Sequence, residues 1–369
     1  MNPKIRITFV MPCDDLSGGN RVVAMYAKHL MARGHQVLVV NAARHHPTLM
    51  DRLRMLRKMD SAAWAIAVKY PPGHIELSGV PQRVLKQQGA LTDADVPDAD
   101  VIIATWWETV EYVARLSPAK GAKVYFIQHY EVFDYLPVAR VKETWKLPFH
   151  KIAIAQWLAD VAAKEFGDHD VSVVPNSVDL QHFQTASRGK QKTPTIGFVY
   201  SLIPWKGVDI ALEAIKLAQQ QVPALQVLAF GAWKVSENYP LPEQCKYVMT
   251  PDQSTIRDIY ASCDAWLFAS RSEGCGLPIL EAMACRTPVI GVPSGVAPEY
   301  LADQCGILVK PEDPQDMSAA IVSVCNMSDS DWRSMSASAY KKVSAYDWDD
   351  ATTLFENALC HAIYKKNEV

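Results

Sequence analysis

Residues 5–41, IRITFVMPCDDLSGGNRVVAMYAKHLMARGHQVLVVN, decide the fold class. Residues 5–11 are an apolar and β-branched run, which marks a strand buried on both faces of a parallel sheet. Pro12 stops the run, and Cys13 to Gly19 form a polar, glycine-bearing loop. From Asn20 the period changes. Val22, Val23, Tyr26, Ala27, Leu30 and Met31 share one helical face, Gly34 is placed to end the helix, and residues 36–41 begin another strand. Strand, glycine loop, helix and strand make a βαβ opening of nucleotide-binding type. Ser17-Gly18-Gly19-Asn20 is not the dinucleotide fingerprint, so those glycines either approach a ligand or only make a tight turn.

Outward from this unit the alternation continues. Strands are predicted at 100–105, 123–128, 151–155 and 171–174, with helical or irregular stretches between them. Two strand ends carry polar and aromatic residues, Thr105-Trp106-Trp107-Glu108 and Gln128-His129-Tyr130-Glu131, where ligands bind in open parallel sheets. His129 can hydrogen-bond a sugar hydroxyl or a phosphate oxygen beside the rings of Tyr130 and Phe133, or serve the fold alone. The aromatic groups Trp106-Trp107 and Tyr130, Phe133, Tyr135 fit a saccharide or glycolipid acceptor and fit core packing equally well.

Residues 184–194 (QTASRGKQKTP) are polar and aperiodic, the composition of a linker. A second series follows, with strands at 195–199, 225–230, 246–249, 265–268, 288–291 and 306–309 and helices at 208–220 and 254–262. The expected division is 1–183, an acceptor domain, 184–194, a linker, 195–345, a donor domain, and 346–369, an amphipathic helix whose apolar face packs on the first domain. At about 150 residues per domain, a chain of 369 residues has room for both.

Bulk properties exclude some functions. Hydrophobic content of 49% and charged content of 21% describe a globular protein, and a net charge of −3 offers no basic field for nucleic acid. The eight cysteines show neither a CxxC pair nor metal-ligand spacing, which fits reduced thiols in the cytoplasm and predicts no metal site. The N-terminal apolar run is too short for a signal segment, and nothing approaches the roughly 18 apolar residues of a spanning helix. The basic, amphipathic stretch 44–60 fits either contact with the cytoplasmic face of a membrane or a solvated helix of its own domain.

The residues richest in chemistry lie at 270–299, SRSEGCGLPILEAMACRTPVIGVPSGVAPE. A loop over 271–277 runs into a helix that opens at Pro278 and extends to about Arg286. The unpaired N–H groups and positive dipole end of such a helix bind anions, and Gly274 and Gly276 let the backbone approach closely. Glu273 and Glu281 flank this cradle. A carboxylate binds hydroxyls well and phosphate poorly, so the set suits a sugar nucleotide, although Glu281 could simply favour the helix dipole. Lys206 stands at another strand-to-helix mouth, where a cation helps only if it meets an external anion.

Together these features resemble the retaining glycosyltransferases of family 4, of the bacterial polysaccharide and glycolipid type, which have the two-Rossmann GT-B fold with domains facing across a cleft. The resemblance rests on E-x7-E at Glu273 and Glu281, Ser17-Gly18-Gly19, Arg33-Gly34-His35, Pro175-Asn176-Ser177-Val178-Asp179, Lys206-Gly207 and Pro298-Glu299. It implies that Glu281 holds the donor ribose and Glu273 the donor sugar. It also implies that Gly274, Cys275, Gly276 and Leu277, with Gly18 and Gly19, surround the diphosphate, that Lys206 neutralises it, and that His129 lies beside the transferred sugar. The implied reaction needs neither metal nor cofactor, since the nucleotide-diphosphate sugar is a substrate, and the acceptor is a saccharide or glycolipid. Two other readings of the architecture are a nucleotide-sugar 2-epimerase and a non-catalytic binder. One departure stands out: the family has arginine five residues before the lysine, and this chain has Ser201. Serine cannot clamp a diphosphate bidentately, so Arg271 or Arg21 would have to replace it.

Overall fold

The computed structural model describes residues 3–42, 72–85 and 91–368. The basic stretch 44–60 lies outside the described residues. The chain divides into two compact units, residues 1–175 with 349–369, and residues 176–348.

In the first unit the described strands are β1 (Arg6–Met11), β2 (Gln36–Asn41), β3 (Gln82–Val84), β4 (Val101–Ala104), β5 (Ala122–Ile127), β6 (His150–Ala153) and β7 (Val171–Val173). They form one all-parallel sheet in the order β3-β2-β1-β4-β5-β6-β7. The β1 pattern is exposed at Arg6 and buried from Ile7 to Met11, as a central strand covered on both faces requires. Helix Gly18–Ala32 buries Val22, Val23, Tyr26, Ala27 and Leu30, the face read from the sequence.

The second unit holds β8 (Thr195–Val199), β9 (Gln226–Gly231), β10 (Cys245–Met249), β11 (Ala265–Phe268), β12 (Val289–Gly291) and β13 (Gly306–Leu308). Its sheet is also all parallel, in the order β10-β9-β8-β11-β12-β13. The order reverses direction between β8 and β11, and in open α/β sheets the crevice beyond the strand ends at such a point is where ligands bind. Helices Val208–Gln221 and Pro314–Asn326 cover one face through Ala211, Ala214, Ile215, Met317 and Ile321.

Segment 184–194, expected as a linker, is instead strapped onto the second unit. Lys190 Nζ donates to the carbonyls of Val324, Cys325 and Met327 at 2.9, 2.7 and 2.8 Å. The backbone N–H groups of Gln191 and Thr195 donate to the buried Asp264 carboxylate at 2.7 and 2.9 Å. Its polarity serves carbonyls and a carboxylate inside its own unit, and the chain changes unit earlier, after Pro175.

From Asp349 onward the chain belongs to the first unit, where Phe355 stacks on Tyr26 at 4.3 Å and meets Phe126 edge-on at 5.2 Å. The motif Arg33-Gly34-His35 holds this helix electrostatically. Arg33 donates to Glu356, to Asp349 and to Thr353 Oγ1, and His35 Nε2 lies 2.6 Å from Glu356 Oε1. Ile5 N–H donates to His35 Nδ1 at 3.2 Å, which puts the ring proton on Nε2, facing the carboxylate. Among the described residues no helix is long and apolar enough to cross a membrane.

Candidate active site

The loops after β8 and β11 meet at the strand-order reversal of the second unit. After β8 come Tyr200, Ser201 and a 3-10 turn, Pro204–Lys206, and then Gly207 at φ 65° caps the Val208–Gln221 helix. After β11 come Ser270 to Gly276 and the helix Leu277–Ala284. Arg271 N–H donates to the Trp205 carbonyl at 2.8 Å, tying one loop to the other. In this arrangement Lys206 Nζ donates to Glu273 Oε1 at 2.6 Å, the side chains 31% and 13% exposed. Two residues 67 positions apart thus form one charged pair beside a helix N-terminus.

The helix starts at Leu277 because Gly276 takes φ 93°, a left-handed backbone that side chains rarely adopt. A Cβ there would stand 2.8 Å from Phe268 Cζ. Val296 N–H donates to the Cys275 carbonyl at 2.9 Å and props the loop from behind. Cys275 is buried, and burial pushes its thiol up to about 12, so it contributes shape and backbone rather than a nucleophile. Glu281 is buried too, and its Oε2 accepts a hydrogen bond from the Tyr260 hydroxyl at 2.8 Å. Tyr260, on the neighbouring helix Gln253–Ala261, looks in the sequence like any apolar-face aromatic, and only its pairing with Glu281 sets it apart.

Ser201 is buried, and its hydroxyl accepts the Ile203 N–H at 3.3 Å, closing the turn before Lys206. Arg271, one proposed replacement for the missing arginine, is committed elsewhere. Its guanidinium grips Asp209 at 2.9 and 2.7 Å and also donates to Glu312 and the Pro204 carbonyl. The Arg271 hydrogen bond is the main reason the Asp209 carboxyl is held below its usual range. Asp209 escaped the sequence reading because a lone carboxylate in a first helical turn needs no explanation beyond the dipole, and Glu312, in the loop before the helix Pro314–Asn326, looks like any exposed loop carboxylate.

In the first unit, Gly18 and Gly19 open their helix at the carboxyl end of β1, and the Gln128 side chain, just after β5, covers Gly19. His129 Nδ1 lies 2.9 Å from the Tyr130 carbonyl, which places the proton on Nδ1. Phe133 packs on the His129 ring at 4.9 Å. Tyr130 does not share that face: its hydroxyl donates to Glu165 at 2.6 Å and its ring meets Trp145 edge-on. Trp107 is buried, with the Arg140 guanidinium over it at 5.0 Å, so its ring is packing material. Beside it Glu131 Oε2 accepts the Trp107 N–H at 2.9 Å, and burial pushes this carboxyl up to about 8.

Two doubly wound, all-parallel units in one chain, each presenting glycine-bearing helix starts at its carboxyl edge, define the GT-B class. The chain belongs to the glycosyltransferases of that class: residues 16–182 match Glycosyltransferase Family 4, and residues 181–342 match Glycosyl transferases group 1. It is 29% identical over 174 residues to D-inositol 3-phosphate glycosyltransferase of Segniliparus rotundus, covering 42% of this chain and 39% of the relative. It is 29% identical over 189 residues to O-antigen chain mannosyltransferase B of Escherichia coli, covering 48% of each. The chain thus spans about half the length, or less, of these curated relatives. Among solved structures, Anabaena HepE in complex with UDP and glucose superposes with a TM-score of 0.73 at 18% identity, covering 97% of this chain and 100% of that one. Sucrose-phosphate synthase from Thermosynechococcus elongatus gives 0.71 at 16%, covering 98% and 99%. At these identities the structures speak for the fold.

Proposed function

We propose that this protein transfers a sugar, with retention and without a metal, from a nucleotide-diphosphate sugar to a saccharide or glycolipid acceptor. The observation that carries the reading is the Lys206–Glu273 pair at the strand-order reversal of the second unit, beside the helix start at Gly276. An ammonium and unpaired helix N–H groups suit a diphosphate, and an adjacent carboxylate suits sugar hydroxyls.

In this reading the bond between the anomeric carbon and the diphosphate oxygen breaks, and the electron pair leaves on the nucleotide diphosphate. Lys206 and the backbone N–H groups of Gly276 and Leu277 stabilise that developing charge. The acceptor hydroxyl attacks from the face the diphosphate leaves, and its proton passes to a leaving phosphate oxygen. Glu273 orients the sugar and Glu281 holds the ribose. The backbone of Gly274 and Cys275 completes the cradle, and no protein nucleophile is used. Ser201 carries no charge to the diphosphate, so Lys206 bears more of that task than its counterpart in an arginine-bearing relative would.

A donor panel tests this. GDP-mannose and UDP-glucose come first, because one relative is named a GDP-mannose-dependent mannosyltransferase and HepE was solved with UDP-glucose. Nucleotide diphosphate released only with a matched acceptor, and a product with retained anomeric configuration, supports transfer. Interconversion of the sugar would mean an epimerase, and binding without turnover a non-catalytic binder. Excess EDTA should leave the transfer rate unchanged; loss of activity restored by Mn2+ would overturn the metal-free step.

A further inference from the structure

At the edge of the first unit's sheet opposite the loops of Gly19 and His129, three side chains from distant parts of the sequence converge. His150 is the first residue of β6, Asp170 immediately precedes β7, and His361 lies on the helix Trp348–Glu368. One nitrogen or oxygen atom from each lies within 4.8 Å of the others. His361 Nε2 is 3.4 Å from Asp170 Oδ1, and His150 Nδ1 is 3.8 Å from Asp170 Oδ2. The latter separation is too long for a hydrogen bond.

His150 has the orientation of a ligand. Its side chain is 3% exposed, and its Nε2 lies 2.9 Å from Ser172 Oγ. With Nε2–H donating to that hydroxyl, the lone pair of Nδ1 faces Asp170 and His361, and Nδ1 has no hydrogen-bond partner. A buried acceptor left unpaired beside a carboxylate and a second imidazole calls for a cation. A metal-bound histidine typically uses its second nitrogen to hold an outer partner, the part Ser172 plays here. Lys365, one helical turn beyond His361, donates its ammonium to Asp170. That lysine is 48% exposed on a flexible stem and can swing into solvent.

We propose that His150, Asp170 and His361 bind a divalent transition-metal ion of the Zn2+ class, which pins the C-terminal helix to the sheet. Two imidazole nitrogens and one carboxylate oxygen suit Zn2+ and its analogue Co2+, with water as the fourth ligand. Ligand atoms about 2.0–2.2 Å from a tetrahedral ion stand roughly 3.4 Å apart, so the site tightens mainly by rotation of His361, which is 44% exposed. No motif betrays the site, because its ligands are separated by 20 and 191 residues and owe their proximity to the return of the last helix.

The test uses the full chain freed of metal by chelation and dialysis. Zn2+ added to it is followed by calorimetry and by thermal melting, and Co2+ by absorption. The expected result is one site whose filling raises Tm and whose Co2+ spectrum is tetrahedral without thiolate charge transfer. His361→Ala should weaken Zn2+ at least about tenfold and abolish the rise in Tm, and Ser172→Ala should weaken it about tenfold through the His150 ring alone. Lys365→Ala, which removes the competing ammonium, should tighten it. An unchanged Kd in His361→Ala, a thiolate-type Co2+ spectrum, or no effect of Zn2+ on the wild type would overturn the proposal.

Discussion

Lys206 Nζ and Glu273 Oε1 lie 2.6 Å apart, so the cation proposed for the diphosphate and the carboxylate proposed for the sugar neutralise each other. A donor entering there must exchange that contact for its own. Lys206→Ala removes the countercharge and leaves Glu273 facing a diphosphate, so both donor affinity and kcat should fall, the latter by about 10²-fold or more. Glu273→Gln should lower kcat while sparing nucleotide diphosphate affinity. Lys206→Ala/Glu273→Gln should bind nucleotide diphosphate better than Lys206→Ala alone. Steady-state transfer with calorimetric donor binding checks this, and equal activity in all variants would move the site elsewhere. The pair is partly exposed and contributes at most about 1 kcal/mol to stability, so Tm should barely change.

Gly207→Ala should be costly. The residue sits at φ 65°, and an added Cβ would lie 2.0 Å from the Ala269 carbonyl oxygen, a backbone atom that cannot step aside. Gly167 has nearly the same φ, 67°, with nothing within 4 Å of the same Cβ. Left-handed strain alone, about 1–2 kcal/mol, is therefore the expected cost at Gly167. Gly207→Ala should lose that and more, with transfer falling as the Lys206 turn shifts. Melting curves of the two variants side by side separate strain from collision.

Glu356 is the acceptor on which Arg33 and His35 converge. Burial works against its charge, but the hydrogen bonds from His35 and Arg33 prevail and hold the carboxyl below its ordinary range. Its contribution is therefore present above the unfolded carboxyl value and is lost as acid protonates it in the folded state. Glu356→Ala leaves two donors behind and should destabilise the first unit by about 3 kcal/mol, read from urea unfolding at neutral pH. The loss should shrink at strongly acidic pH.

Glu131 behaves in the opposite sense. Desolvation pushes its carboxyl up to about 8, so between the unfolded value near 4.5 and about 8 the folded chain holds a proton that the unfolded chain has released. Stability from this group falls as pH rises through that window. Glu131→Gln keeps an acceptor for the Trp107 N–H and carries no charge. It should therefore flatten the decline in Tm between about pH 5 and 8 and melt above the wild type at pH 8. An unchanged slope in the variant would show that the buried group is ionised throughout that window.

Much of this architecture was legible in the residues themselves. The apolar and β-branched run of β1 and the helical face from Val22 to Leu30 impose their periods locally, and so the α/β class and most strand positions follow from short-range sterics and burial. The glycines at 207 and 276 and Pro278 announce helix starts for the same reason. Segment 184–194 misled because polarity has two causes: its side chains meet buried carbonyls and a carboxylate, as Lys190 does, and composition does not distinguish those from water.

By itself, then, the sequence determined the two doubly wound units, the order of their loops and the residue types at each strand mouth, because backbone sterics and hydrophobic periodicity act over a few residues. Only the tertiary structure decided which distant charges meet. It gave Arg271 to Asp209 and Glu312 rather than to the role Ser201 leaves open, set Lys206 against Glu273, Glu356 against Arg33 and His35, and brought His361 to His150 and Asp170. Those contacts depend on separations of a few ångströms between residues tens to hundreds of positions apart, and Coulomb and hydrogen-bond energies depend on distance in space, which only the packed sheets establish.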